Sequence, residues 1–259
     1  GETLDVAPGV RWLRMGLPFA LDHINLWLLR DEQDGRAGWT VVDCGITTES
    51  TREAWEQVFA SPELEGLPVL RVIVTHMHPD HVGGLMNGEQ RAFPNATLHI
   101  DKKDVDFWLS KANMDAAPEG NKGFFQGAMA SVNPYVAAGK LKTFEGNTDL
   151  LPGIRAQAAN GHTPGHTVYT LESQGQKLAL WGDLMHVAAV QFNDPSVTIA
   201  FDTDSKAART QRERAFADAA KNGTLVGVTH VSFPGLGRLV KTADGKRYTW
   251  VPLNYMGLK

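Results

Sequence analysis

The chain has 259 residues, 42% hydrophobic and 21% charged, a globular mix with enough apolar material for a sizeable core. Its formal charge of −4 argues against a surface for nucleic acid or anionic membrane, and its single cysteine, Cys44, excludes an intrachain disulfide. No apolar run approaches the roughly 18 residues of a membrane-spanning helix. A soluble protein is expected, cytoplasmic or exported after signal removal.

Ile24 to Asp31 and Trp39 to Gly45 read as two strands joined by the polar turn "EQDGRAG". Thr51 to Phe59 predicts an amphipathic helix, with Ala54, Trp55, Val58 and Phe59 at helical spacing. "PVLRVIV" predicts a buried strand ending at Thr75, "ATLHI" another, and Lys102 to Ser110 a helix. Asn113 to Lys122, rich in Ala, Asn, Gly and Pro, reads as a loop, and "GFFQGAMASVNPYV" as the helix after it. "IRAQAA", "TVYTLES" and "KLALWGD" predict three more strands. Ser205 to Asn222 predicts a long helix with Ala208, Ala215, Phe216 and Ala219 on its inner face. "TLVGVTH" reads as a last buried strand, and "RYTWVPLNY" closes the chain. With no internal repeat or linker, strands followed by helices predict a layered α/β fold in one domain over residues 1–259.

The chemistry is concentrated in "THMHPDHVGG", Thr75 to Gly84, at the exit of the strand "PVLRVIV". His76 and His78 lie two apart, so an extended backbone turns both imidazoles to one point. Asp80 and His81 follow in the turn and can face a second point beside it. Gly83 and Gly84 permit a tight reversal. Neutral imidazole and carboxylate are the usual ligands of Zn, Fe, Mn or Ni. One such cluster is too small for two ions. Further candidates follow at other strand ends: His162 after "IRAQAA", Asp183 after "LALWG" and His230 after "LVGVT". A carboxylate such as Asp183 can bridge two cations. A lone histidine at a strand end is more often a hydrogen-bonded structural residue, but four such positions in order favour metal.

The ordered motifs "THMHPDH", "GHTPGH", "GD" and the late "TH" resemble those of the metallo-β-lactamase superfamily over nearly the whole chain. The resemblance implies an αββα four-layer sandwich with a dinuclear metal site. It places His76, His78 and His162 on one divalent ion, Asp80, His81 and His230 on the other, and Asp183 between them. Zinc is the first expectation, with Mn, Co or Fe as alternatives. His166, the second histidine of "GHTPGH", then either supports the ligands from behind or is structural. From Thr75 onward, "HPDHVGGLMNGEQRAFPNA", "FFQGAMASVNPYV" and "VAAVQFNDPSV" resemble the methyl parathion hydrolase branch and its relatives that hydrolyse aryl lactones such as dihydrocoumarin. Residues 1–74 resemble a different branch, which points either to a chimeric or engineered chain or to a divergent natural enzyme. Relatives of this branch imply a homodimer with a small-molecule substrate, and no nucleic-acid or membrane partner.

Two dications can hold a bridging hydroxide near neutral pH and polarise a carbonyl or phosphoryl oxygen. No serine or cysteine nucleophile is needed, and no G-x-S-x-G elbow is present; Cys44 reads as a small residue of a core strand. Asp43 reads as a carboxylate bracing the ligand loop. Asp80, Asp183 and His186 are the candidate catalytic residues. His186 lies three residues after Asp183, where homoserine-lactone hydrolases of the superfamily carry a substrate-touching tyrosine, so it can donate to a carbonyl or departing oxygen. By resemblance, Trp108, Phe124, Ile199 and Phe201 line the substrate pocket together with His186. Phe19, in the early loop Met15 to His23, could touch substrate as well; His23 reads as the cap of the next strand or as a pocket residue. A narrow aromatic pocket suits a flat aryl lactone better than a phosphotriester with two alkoxy arms. The expected function is therefore aryl lactone and ester hydrolysis, with organophosphate hydrolysis as a side activity. The rival readings are a phosphotriesterase, a β-lactamase or thioesterase, and a metal-binding scaffold without catalysis.

Overall fold

The computed structural model describes residues 2–254. They fall into two compact units, divided between Thr143 and Phe144. In the first, β1 (Thr3–Ala7), β2 (Val10–Gly16), β3 (His23–Gln33) and β4 (Arg36–Val42) form an antiparallel meander. Next come α1 (Glu49–Ala60), β5 (Val69–Ile73), the single turn α2 (Pro79–Val82) and a hairpin of β6 (Met86–Asn87) and β7 (Gln90–Arg91). They are followed by β8 (Thr97–Asp101), α3 (Lys102–Trp108), α4 (Lys111–Ala116), α5 (Lys122–Ala137) and β9 (Leu141–Phe144). Seven of these strands form one sheet in the order β1-β2-β3-β4-β5-β8-β9.

The pairing β4–β5–β8 is parallel and brings Val41, Val72 and Leu98 into one row. All three are fully buried in a core shared with Trp55 and Val58 of α1 and with Phe125, Ala128 and Val132 of α5. Each such large side chain contributes about 1.5–3 kcal/mol of burial. Parallel neighbours need crossovers, and α1 supplies the one between β4 and β5. Thr48 starts that helix by accepting a hydrogen bond from the Thr51 N–H at 3.2 Å. Two expectations need correction. The strand read as Trp39 to Gly45 ends at Val42, because Asp43 takes a left-handed backbone with φ +58°. The loop read over Asn113 to Lys122 begins as helix α4. Ser110 caps it by accepting from the Asn113 N–H, an N-terminal signal that the nearby Pro and Gly residues obscured. Strands β1 and β2 were not anticipated.

In the second unit, β10 (Thr148–Leu151), β11 (Ile154–Ala158), β12 (Thr167–Ser173) and β13 (Gln176–Leu180) form an antiparallel run. The single turn α6 (Ala188–Gln191), the long helix α7 (Ser205–Asn222), β14 (Leu225–Gly227), β15 (Leu236–Lys241) and β16 (Tyr248–Pro252) follow. The sheet runs β10 to β16 in chain order, and only the β13–β14 pair, spanned by α7, is parallel. Helix α7 has the predicted limits, from its N-cap Asp204 to Gly223 in the left-handed C′ position at φ +60°. Phe216 and Ala219 pack with Trp181, Val226, Leu239 and Tyr248. Arg212 lies on the same buried face, where the sequence predicted only Ala and Phe. The "KLALWGD" strand stops at Leu180, since Gly182 turns the chain at φ +55°. The "TLVGVTH" strand shrinks to Leu225–Gly227. "RYTWVPLNY" supplies β16, and its Tyr255 lies outside the described residues. No helix among the described residues is long and apolar enough to cross a membrane.

Candidate metal centre

In the first unit the ligand loop leaves β5 and is braced by two buried carboxylates. Asp43, just past β4, accepts from the Thr75 N–H and from the Thr75 hydroxyl, both at 2.8 Å. Its Oδ2 also lies 2.9 Å from Nδ1 of His81, which fixes that ring and makes it a better ligand. Asp104, on α3, accepts from the Met77 N–H at 2.9 Å. His76, His78 and His81 are buried within one turn, with ring centroids 4.7 Å apart for His76–His78 and 4.0 Å for His76–His81. Asp80 is half-buried, its Oδ2 3.6 Å from Nε2 of His81. The predicted role of Gly83 and Gly84 holds for a different reason. Both sit where backbone closes on backbone: a Cβ on Gly84 would lie 2.0 Å from the Cys44 carbonyl oxygen, and one on Gly83 2.4 Å from the Thr47 nitrogen. Cys44 lies two residues beyond the strand but is fully buried, as expected.

The second unit assembles its set from three strand ends. The Asp183 carboxylate is its focus. Nε2 of His186 lies 2.9 Å from its Oδ2, Nε2 of His230 lies 3.2 Å from its Oδ1, and Nε2 of His162 lies 3.5 Å from its Oδ2. Two donors bound to one cation at about 2.1 Å with tetrahedral angles lie roughly 3.4 Å apart, so these spacings suit a shared divalent ion. The donor set fits a metal in its chemistry too: buried imidazole nitrogens and a carboxylate, with His162 held from behind. Its Nδ1 lies 2.9 Å from Oδ1 of Asp202, whose Oδ2 accepts from the Ile199 N–H. Burial works to lower the His162 pKa, but Asp183 and Asp202 outweigh it and hold it above the ordinary value. Burial keeps His186 below its ordinary value against the pull of Asp183. His186 is therefore a neutral imidazole near pH 7, and its Nδ1 has no hydrogen-bond partner.

His166 is structural, as expected: its Nε2 accepts from the Asp183 N–H at 3.0 Å while Nδ1 faces the Ala159 carbonyl. Trp108 and Phe124 both lie against His78, with centroids 5.2 and 4.9 Å away. Trp108 is also part of the first unit's core. Ile199 is half-buried and Phe201 is 52% exposed; both flank the segment that ends in Asp202. Phe19 stands in the turn between β2 and β3, 44% exposed, with no hydrogen bond or ring contact to the histidines. His23 opens β3 beside Asp22. Sequence reasoning missed Asp104, Asp202, Gln191 and Arg212. For Asp202 a signal existed: "DTD" before α7 holds two acids, and only Asp204 is needed as the cap.

The sequence model of the metallo-beta-lactamase superfamily matches residues 20–230. The chain belongs to the metallo-β-lactamase superfamily. A solved superfamily structure, the hydrolase AbOPH, is 26% identical, covers 97% of both chains and superposes with a TM-score of 0.81. AidC, a dizinc quorum-quenching lactonase solved with an N-hexanoyl-L-homoserine product, is 25% identical over 91% of this chain and 81% of its own, with a TM-score of 0.75. An N-acyl homoserine lactonase of Bacillus cereus is 26% identical over 136 residues, 52% of this chain and 46% of its own length. The chain spans less than half the length of the curated relatives it matches. The fold is that of the superfamily.

Proposed function

We propose that this metallo-β-lactamase relative is a metal-dependent hydrolase of lactones and carboxylic esters that carry an apolar acyl or aryl group. The observation that carries this reading is the convergence of His162, His186 and His230 on the buried Asp183 carboxylate. Two divalent ions complete the proposal. His76, His78 and His162 would hold one, Asp80, His81 and His230 the other, with Asp183 shared, as the family resemblance implies. Zinc fits the donor set and the dizinc lactonase AidC; Mn, Co and Fe fit the same donors. When bound, such ions supply an activated water near neutral pH and a positive charge for the carbonyl oxygen.

The chain's own residues do the rest. Asp43 and Asp202 fix the rings of His81 and His162. His186 holds its single proton on one nitrogen. With Nε2–H towards Asp183, its Nδ1 lone pair takes a proton; with the proton on Nδ1 it donates to a departing oxygen. The buried Trp108 Nε1–H also has no acceptor in the structure and lies beside His78, a donor suited to a substrate oxygen. Phe124, Ile199 and Phe201 supply apolar surface for the acyl or aryl group. The two lactonase relatives favour lactones. The resemblance from Thr75 onward to the methyl parathion hydrolase branch supports aryl lactones, with organophosphates as a weaker activity. Strands β1 to β4 join β5, β8 and β9 in one sheet, so residues 1–74 share one folded unit with the His76 to His81 turn.

The test is a rate comparison on metal-loaded protein with dihydrocoumarin, N-hexanoyl homoserine lactone and methyl paraoxon. Lactone kcat/KM should exceed that of the phosphotriester by about 100-fold or more, roughly 3 kcal/mol of transition-state preference. A phosphotriester preference would replace this reading with a phosphotriesterase. No turnover with both metals bound would leave a metal-binding scaffold. His186→Leu should cut lactone hydrolysis about tenfold or more and phosphotriester hydrolysis less; equal losses would remove His186 from proton transfer.

A further inference from the structure

The segment between Asp183 and Asp202 contains one helical turn and no strand, yet it is held from below by two buried side chains. Arg212, on the inner face of α7, is 1% exposed and has no carboxylate within ion-pair distance among the described residues. Its guanidinium donates instead to three backbone carbonyls: Pro195 at 2.8 Å, Leu184 at 3.2 Å and Val197 at 2.6 Å. A buried cation costs several kcal/mol unless it is well hydrogen-bonded, and a methionine would fill the same space without that cost. Packing alone therefore does not explain an arginine here. Gln191, also 1% exposed, works beside it. Its Oε1 accepts from the His186 N–H at 2.7 Å and the Val187 N–H at 3.0 Å. Its Nε2 donates to the Val197 carbonyl at 3.0 Å, so that oxygen receives both side chains. The same segment carries Val187, Val190, Val197 and Phe201, 37–52% exposed, and the half-buried Ile199.

We propose that Arg212 and Gln191 form a buried clamp that holds the 184–202 segment as a preformed platform for the apolar arm of the substrate. Both are positioning residues that govern KM more than the chemical step. The proposal rests on the lactone and ester reading above. The two arms of Gln191 allow them to be separated. Gln191→Glu still accepts from the His186 and Val187 amides, but it cannot donate, and it sets a carboxylate against the Val197 carbonyl. Arg212→Met fills the space and removes every donor, while Arg212→Lys restores one.

The experiment is hydrogen exchange across residues 184–203 in full-length, metal-loaded parent and variants, together with kinetics on a long-arm and a short-arm N-acyl lactone. Gln191→Glu should speed exchange near Val197 to Phe201 while His186 and Val187 stay protected. It should raise KM for the long-arm lactone about tenfold, with kcat and the short-arm rate within about threefold. Arg212→Met should speed exchange throughout the segment, and Arg212→Lys should recover part of the protection. Metal content should match the parent in all. Unchanged exchange in Gln191→Glu overturns the clamp, as does an equal loss on both lactones that falls on kcat. If the parent hydrolyses neither lactone, the reading of the substrate fails, and the exchange pattern alone still decides whether the clamp exists.

Discussion

The first unit draws its candidate ligands from one turn of chain, His76 to His81, whereas the second collects its candidates His162, Asp183 and His230 from the ends of separate strands. The supports differ accordingly. The contiguous set is held by carboxylates that grip backbone N–H groups, Asp43 at Thr75 and Asp104 at Met77. The dispersed set has Asp202 behind His162, while Arg212 and Gln191 grip the backbone of the long loop that follows Asp183. A compact motif needs its own turn fixed. A dispersed one needs whole segments fixed, and so requires more partners at greater sequence distance.

The largest expected effect lies at the focus of the dispersed set. Asp183→Asn should lower kcat/KM by at least about 10³-fold and release at least one metal ion, measured by elemental analysis. A full complement of metal with a normal rate would end its assignment as the shared ligand. Next come the two carboxylates behind the rings. Asp43 makes three hydrogen bonds and Asp202 two to the groups they brace. Asp43→Asn should cost about 100-fold in metal affinity and Asp202→Asn about 10-fold. A reversed order in a chelator competition would show that the dispersed set depends more on its brace than the compact one.

A smaller effect concerns the first unit away from its ligands. His99, on β8, is held near pKa 4 by burial and by repulsion from Lys142 and Arg71, against attraction from Asp31. The unfolded chain then binds a proton that the folded one refuses between about pH 6.5 and pH 4, so stability falls as pH drops through that window. The loss is at most about 3 kcal/mol, and His99→Leu should flatten it in denaturant titrations at pH 7 and pH 4.5. An unaltered pH slope would place the acid sensitivity elsewhere. Smallest is Phe201→Leu, which should shift preference a few-fold, about 1 kcal/mol, towards the bulkier phosphotriester in the paired assay. An unchanged ratio would remove Phe201 from the pocket wall.

The candidate ligands were legible in the sequence to the degree that they are local. "HMHPDH" shows itself in six residues. His162, Asp183 and His230 are recognisable only as polar residues that each follow an apolar strand. Helix α7 was legible to the residue, because Asp204 and Gly223 mark its ends chemically. Strands β1, β2 and β15 were not, since their patterns are short and mixed. Arg212 and Gln191 were illegible for a clear reason. Their partners are main-chain groups, present at every position, and nothing in the letters says which carbonyl a buried guanidinium will meet.

The close approach at Gly84 carries a consequence for anyone who maps this protein by saturation mutagenesis. The missing Cβ lets the turn after His81 lie on the Cys44 carbonyl, and the Gly84 N–H reaches the Gly45 carbonyl at 2.8 Å. Even alanine would have to push the two backbones apart. Selection for activity would then rank Gly84 with the histidines, and a reader of that tolerance profile alone would count it among the residues that touch metal.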